Sequence, residues 1–219
     1  MSATHTCALA LVAIAASTSF ADVYQDSSGD QGPENSNLDL TSLEVTNDET
    51  NVFFSVTTSD FADWTKYMVF VDSIDGSGAD GNNNPWFRNV DMGASGIDYY
   101  MGAWVDGSGG TELSAWAGTF WNSEIPGGAM NTIDGGTNTI TMSIELAALG
   151  LQLGDSLRFE IGTTGGGEGD PATDLMNGTS ASWGGVSNFG TLLEYTTVPA
   201  PGALSLLIAA GLVARRRRA

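Results

Sequence analysis

Carboxylates set in glycine-rich loops, and aromatic rings set at alternate positions of an apolar stretch, are the residues of this chain whose types and spacing can do chemistry. In Asp22-Val-Tyr-Gln-Asp26-Ser-Ser-Gly-Asp30-Gln-Gly-Pro-Glu34 the acidic side chains are separated by small, turn-forming residues. Calcium takes about six to eight oxygens at about 2.3–2.6 Å, and a loop of Asp, Ser and backbone carbonyls supplies them without a helix. Asp26 and Asp30 are the candidate ligands there. A second loop, Asp72-Ser-Ile-Asp75-Gly-Ser-Gly-Ala-Asp80-Gly-Asn-Asn-Asn84, offers Asp72, Asp75 and Asp80. It lacks the Asp-x-Asp-x-Asp-Gly spacing and the closing Glu of an EF-hand. The competing reading of both loops is a solvated turn, rich in glycine because the chain must adopt positive φ there.

The aromatic residues gather around Ile97 to Asp106. If this stretch is a strand, Asp98, Tyr100, Gly102, Trp104 and Asp106 share one face, and Ile97, Tyr99, Met101, Ala103 and Val105 share the other. The turn Gly107-Ser-Gly-Gly110 then folds the next strand back and brings Ser114, Trp116 and Gly118 alongside the first face. Flat rings beside carboxylates and hydroxyls suit sugar rings, whose C–H groups pack on the aromatic face while edge oxygens take the hydroxyl hydrogen bonds. Tyr100, Trp104 and Trp116 are candidates for such a platform, together with Trp86 in Asn84-Pro-Trp-Phe-Arg88. The competing reading places these rings in the core, which with six tryptophans in the chain must take most of them.

Catalytic material is scarce. The one histidine, His5, and the one cysteine, Cys7, both precede residue 22. Between residues 22 and 197, imidazole bases, Ser-His-Asp triads, thiol nucleophiles and His/Cys zinc sites are therefore unavailable. Only a glycosidase mechanism, with two carboxyl groups about 5–9.5 Å apart, survives as an enzymatic alternative.

The elements that must position these groups read as strands. Ile140, Met142 and Ile144 alternate with polar residues in Thr139 to Glu145, as do Leu157, Phe159 and Ile161 around Arg158 and Glu160. Further strands are expected at Leu38 to Thr46, Val52 to Thr58, Tyr67 to Asp72, Ile97 to Val105, Glu112 to Trp121 and Leu192 to Thr196. The one helical piece expected is the single turn Leu146-Ala-Ala-Leu149, stopped by Gly150. Short strands separated by Gly, Asn and Asp make the expected fold all-β: a single antiparallel β-sandwich, jelly-roll or Ig-like, over residues 22–197. This segment carries all 26 acidic residues and only Lys66, Arg88 and Arg158 of the basic ones. That balance excludes nucleic acid as a partner and fits either a calcium-rich or saline exterior or mere solubility.

The two ends read as addresses. An apolar stretch from Cys7 to Ala16, followed by small residues before Ala21, is expected to be a secretory signal peptide over residues 1–21 that engages the export machinery. The last stretch, 198–219, runs Val198-Pro199-Ala200-Pro201, then an apolar helix to about Ala214, then Arg215, Arg216, Arg217 and Arg218. The order of hinge, short hydrophobic helix and basic cluster resembles the PEP-CTERM sorting tail of bacterial exported proteins, with Ala200 where the motif has Glu. The resemblance implies anchoring in a membrane, arginines on its cytoplasmic side, and an exosortase-like sorting enzyme as partner.

Within the central domain, Asp26-Ser-Ser-Gly-Asp30-Gln-Gly-Pro33, Leu38 to Val45, Val52-Phe-Phe-Ser-Val56, Met68 to Asp72 and Gly150 to Phe159 resemble the family 9 carbohydrate-binding modules and the carboxy-terminal sandwich of glucodextranases. The resemblance implies calcium at the early acidic loop, carried over to Asp26 and Asp30, and a pair of tryptophans clamping a sugar. Trp86 and Trp104 are the pair that local context picks out. The expected function is a non-enzymatic exported protein at the cell surface or extracellular matrix that binds polysaccharide or contributes structure. A glycoside hydrolase with paired carboxylates, or a purely structural or adhesive surface protein, is the alternative.

Overall fold

A computed structural model describes residues 21–30, 33–74, 76, 78–123, 125 and 128–199. Residues 1–20 of the expected signal peptide, and Pro201 with the apolar segment and Arg215 to Arg218 of the tail, lie outside the described residues. No helix among the described residues is long and apolar enough to cross a membrane.

Over the described residues the chain is all-β, as its alternation of apolar and polar residues predicts. Its strands are β1 (Asp22–Gln25), β2 (Leu40–Asn47), β3 (Asn51–Thr58), β4 (Lys66–Asp72), β5 (Val90–Asp91), β6 (Tyr99–Trp104), β7 (Gly110–Trp116), β8 (Trp121–Asn122), β9 (Gly128–Asp134), β10 (Thr139–Glu145), β11 (Ser156–Thr164), β12 (Asp174–Leu175), β13 (Ser187–Asn188) and β14 (Leu193–Thr196). One antiparallel sheet has the order β1-β2-β3-β10-β9. The other runs β12-β11-β4-β6-β7-β8, with β14 also paired to β11. The short β5 and β13 pair in parallel outside both.

The two sheets share one buried cluster. Val45, Phe54 and Met142 from the first meet Val69, Met101 and Phe159 from the second, with Phe54 and Phe159 edge to face at 5.4 Å. Full burial of each such side chain contributes about 1.5–3 kcal/mol. In β10 the expected alternation is observed: Ile140, Met142 and Ile144 are buried and their neighbours are not.

β4 is buried on both faces, which is why it reads as the continuous apolar run Tyr67 to Val71. Tyr67, Val69 and Val71 enter the core between the sheets. Met68 and Phe70 enter a second cluster with Tyr100, Val90, Met92 and Ile97, roofed by Trp86, Trp116 and Trp121. The outer face of this sheet is therefore covered by the long connection from β4 to β6 and by the segment after β11.

Several boundaries differ from the sequence expectation. Pro33–Leu38 is a 3-10 segment, so β2 begins at Leu40. The expected strand Glu112 to Trp121 divides into β7 and β8, because Gly118 turns the chain at φ 89°. The turn Leu146–Leu149 is a 3-10 helix closed by Gly150 in the left-handed region, as its sequence predicts.

Candidate functional site

Two bare positions on the outer face of β6 and β7, Gly102 and Gly110, decide where the aromatic rings lie. Across these strands Tyr100 faces Ser114, Gly102 faces Glu112 and Trp104 faces Gly110. This keeps Ser114 and Trp116 on the face of Tyr100, the parity expected from the sequence. A Cβ at Gly102 would come within 1.9 Å of Trp86 Cζ2, and one at Gly110 within 2.3 Å of Trp104 Cζ2. Each indole therefore sits directly on glycine backbone. Their ring centroids are 6.2 Å apart with planes tilted by 52°.

Trp86 is carried by a tight turn. The buried side chain of Asn84 accepts from Arg88 N at 2.9 Å and donates to Arg88 O at 2.9 Å, and Phe87 N donates to Asn84 O at 3.1 Å. The turn forces Phe87 to φ 52°, an uncommon and costly conformation for an aromatic residue. It leaves that ring 72% exposed. The indole N–H of Trp86 donates to Glu112 Oε2 at 3.4 Å, and the Arg88 guanidinium lies 5.4 Å from the ring centroid.

These groups border an open surface cavity of about 490 Å³ lined by Lys66, Trp86, Phe87, Arg88, Trp104, Asp106, Glu112, Gly166 and Glu168. Lys66 Nζ pairs with Asp106 at 2.8 Å. Arg88 Nη1 lies 3.9 Å from Asp170, and burial pushes the guanidinium below its ordinary pKa. A larger cavity of about 700 Å³ lies beside Leu146 and Leu151, but no aromatic ring lines it.

The structure thus brings Trp86 and Trp104 together at the cavity and leaves the other two aromatic candidates out of its lining. Tyr100 requires correction: it is fully buried, edge to face with Phe70 at 5.1 Å and with Trp86 at 5.4 Å, so it supports the site from below and offers no platform. Burial also drives its hydroxyl well above the usual tyrosine pKa. Trp116 is half-buried against Trp121 at 5.4 Å and does not line the cavity. Phe87, Glu112 and Glu168 were missed by sequence reasoning, although Phe87 adjoins Trp86 in the turn singled out there.

A second site gathers carboxylates. Asp26, just after β1, and Asp30 meet Asp174 of β12, with ligand oxygens all within 4.8 Å of one another. Asp174 Oδ2 accepts from Leu40 N at 2.7 Å, and its Oδ1 accepts from Ser180 Oγ at 2.9 Å. Glu160 of β11 is fully buried and near enough for the charges of Asp26 and Asp174 to act on it. Its Oε1 accepts from the backbone N–H groups of Ile161 and Asn177, whereas Glu160 Oε2 and Asp26 Oδ2 are buried with no hydrogen-bond partner. Burial, then mutual repulsion, raises Asp26 to about 6, and both Asp174 and Glu160 to about 8. Carboxylate oxygens held together against their own repulsion, with two left unsatisfied, form a hard-oxygen donor set of the kind calcium takes. Asp39 closes the loop by accepting from Gly29 N at 2.9 Å.

The other acidic candidates are placed differently. Asp72 is buried and pairs with Arg158 at 2.5 Å across β4 and β11. Asp80 is exposed and accepts from Gly96 N at 2.9 Å. Both line a cavity of about 320 Å³ that also contains Arg158, whose charge opposes a cation there. Asp75 lies outside the described residues. Of the tail, Val198 is fastened to the domain by Asn47, which accepts from Val198 N at 2.9 Å and donates to Val198 O at 2.9 Å, and Pro199 is exposed. No protein-family model and no curated protein matches the chain.

Proposed function

We propose that residues 22–197 are a non-enzymatic β-sandwich of the jelly-roll or Ig-like kind, exported and sorted by the tail to the cell surface or matrix, that binds polysaccharide in the Trp86–Trp104 cavity. The observation that carries this reading is the pair of indoles seated on Gly102 and Gly110, bordering one cavity with carboxylates at its edge. The site's position agrees with a surface role. The cavity gathers at the Lys66 end of β4, whereas β14 and Val198 leave beside Ser156, toward the Asp72 end. At about 3.3 Å per residue these ends are roughly 20 Å apart, so the chain leaves the domain at the end of the sheet away from the cavity.

Of the cavity's carboxylates, Asp106 is paired with Lys66 and Glu112 accepts the Trp86 N–H, so Glu112 and Glu168 are the pair a hydrolase would have to use. Polysaccharides in native gels are expected to retard the protein with no release of reducing ends. Release would establish the hydrolase alternative, and neither effect would leave a structural or adhesive role. The cluster of Asp26, Asp30, Asp174 and Glu160 supports calcium as a structural ion that ties the loop after β1 to β11 and β12.

A further inference from the structure

We infer that the Trp86–Trp104 cavity selects a glycan bearing free amines, an unacetylated 2-amino-2-deoxy sugar oligomer or polymer, over its N-acetylated and neutral counterparts. The inference rests on the carbohydrate reading above and adds the chemistry of the ligand. Of the two cations of the cavity, Lys66 is ion-paired and Arg88 is buried. Lys66 Nζ is held by Asp106 at 2.8 Å. Arg88 faces Asp170 at 3.9 Å and the Trp86 ring at 5.4 Å, and its Nε and Nη1 are buried with no hydrogen-bond partner, so its charge is withdrawn from the cavity surface. Glu112 and Glu168 have no ion pair among the described residues, so the cavity presents negative charge beside aromatic faces.

An ammonium fits that combination. It is attracted to the faces of Trp104 and Phe87 by cation–π interaction and to Glu112 and Glu168 by charge, and it leaves the Lys66–Asp106 pair and the Arg88 guanidinium over Trp86 in place. When partly desolvated, such contacts are worth about tenfold in affinity. A uronate or sulfated glycan would bring a second negative charge to the same edge, within a segment holding 26 acidic residues against three basic ones. N-acetylation keeps the sugar ring but removes the charge, which makes it the informative contrast.

The test is calorimetric titration of the full chain with hexamers of glucosamine, N-acetylglucosamine and glucose. The glucosamine hexamer is expected to bind at least about tenfold more tightly than the other two. Glu112→Gln, which keeps an acceptor for the Trp86 N–H, and Glu168→Gln should each reduce that ratio severalfold. Glu44→Gln, on β2 away from the cavity, should leave the ratio unchanged. Equal affinity for the three hexamers overturns the inference while leaving the carbohydrate reading in place. An equal effect of Glu44→Gln also overturns it, because the preference would then reflect net charge alone. Binding of none of the hexamers, or of other glycans, overturns the carbohydrate reading itself.

Discussion

Trp86 lies on Gly102. The indole is so close to the strand that a Cβ there would stand 1.9 Å from Cζ2, and its N–H reaches Glu112, the residue opposite Gly102 on β7. The ring's position is set by the absence of one side chain, so the smallest possible addition should move it. Gly102→Ala is expected to cost about 1–3 kcal/mol in urea denaturation and to weaken glycan binding in the folded protein. Wild-type affinity in a folded Gly102→Ala protein would show that the ring's seat does not matter.

Calcium should stabilise the domain by mass action, because the cluster of Asp26, Asp30 and Asp174 is assembled only on folding. Millimolar calcium is expected to raise Tm, and Asp174→Asn or Asp30→Ala to remove most of the rise. Magnesium at matched ionic strength is the control. An equal rise with magnesium would reduce the effect to screening of net charge.

The same cluster predicts a direction with pH. Asp174 and Glu160 are raised to about 8 and Asp26 to about 6, chiefly by burial. The folded state therefore holds protons that the unfolded state releases near pH 4. The stability this gives is fully present below about pH 4 and is lost as pH rises through about 6 to 8. Metal-free protein should show Tm falling from about pH 5 to about pH 8, and saturating calcium should flatten the fall by holding the carboxylates ionised. A Tm that rises over that interval without metal would contradict the buried, repelling arrangement.

How much of this was legible depended on how far apart in sequence the partners lie. The strands of the core show in the alternation of Ile140, Met142 and Ile144, and the double burial of β4 shows in the unbroken run Tyr67 to Val71. Tyr100 misled because its face of β6 alternates with an apolar face and so reads as solvent. The roof over it comes from the connection before β6 and from β8, which strand period cannot reveal. Glu160 misled in the same way: alternation with Phe159 and Ile161 reads as outward, yet the segment after β11 covers it. Asp174 joins Asp26 and Asp30 only because β1 and β12 lie at neighbouring edges of the two sheets. The loop before residue 31 carried half of that site in its spacing, and no local pattern carried the rest.

The tail gives a separate test of destination. Replacing Arg215 to Arg218 with Ser is expected to misroute the protein, because these residues would hold the cytoplasmic end. Cell fractionation and mass spectrometry of the carboxy terminus check it. Unchanged surface delivery would count against sorting by this tail.

The most direct measurement of the central claim is glycan affinity of Trp104→Ala, read beside its own denaturation curve. An aromatic anchor at the cavity should cost more than about 1 kcal/mol of binding when truncated, with the fold intact and the same direction of change for Trp86→Ala. Contradiction would be a folded Trp104→Ala protein with unchanged affinity. It would also be a stability loss of about 3–5 kcal/mol that accounts for lost binding by unfolding, since Trp104 would then be a core residue.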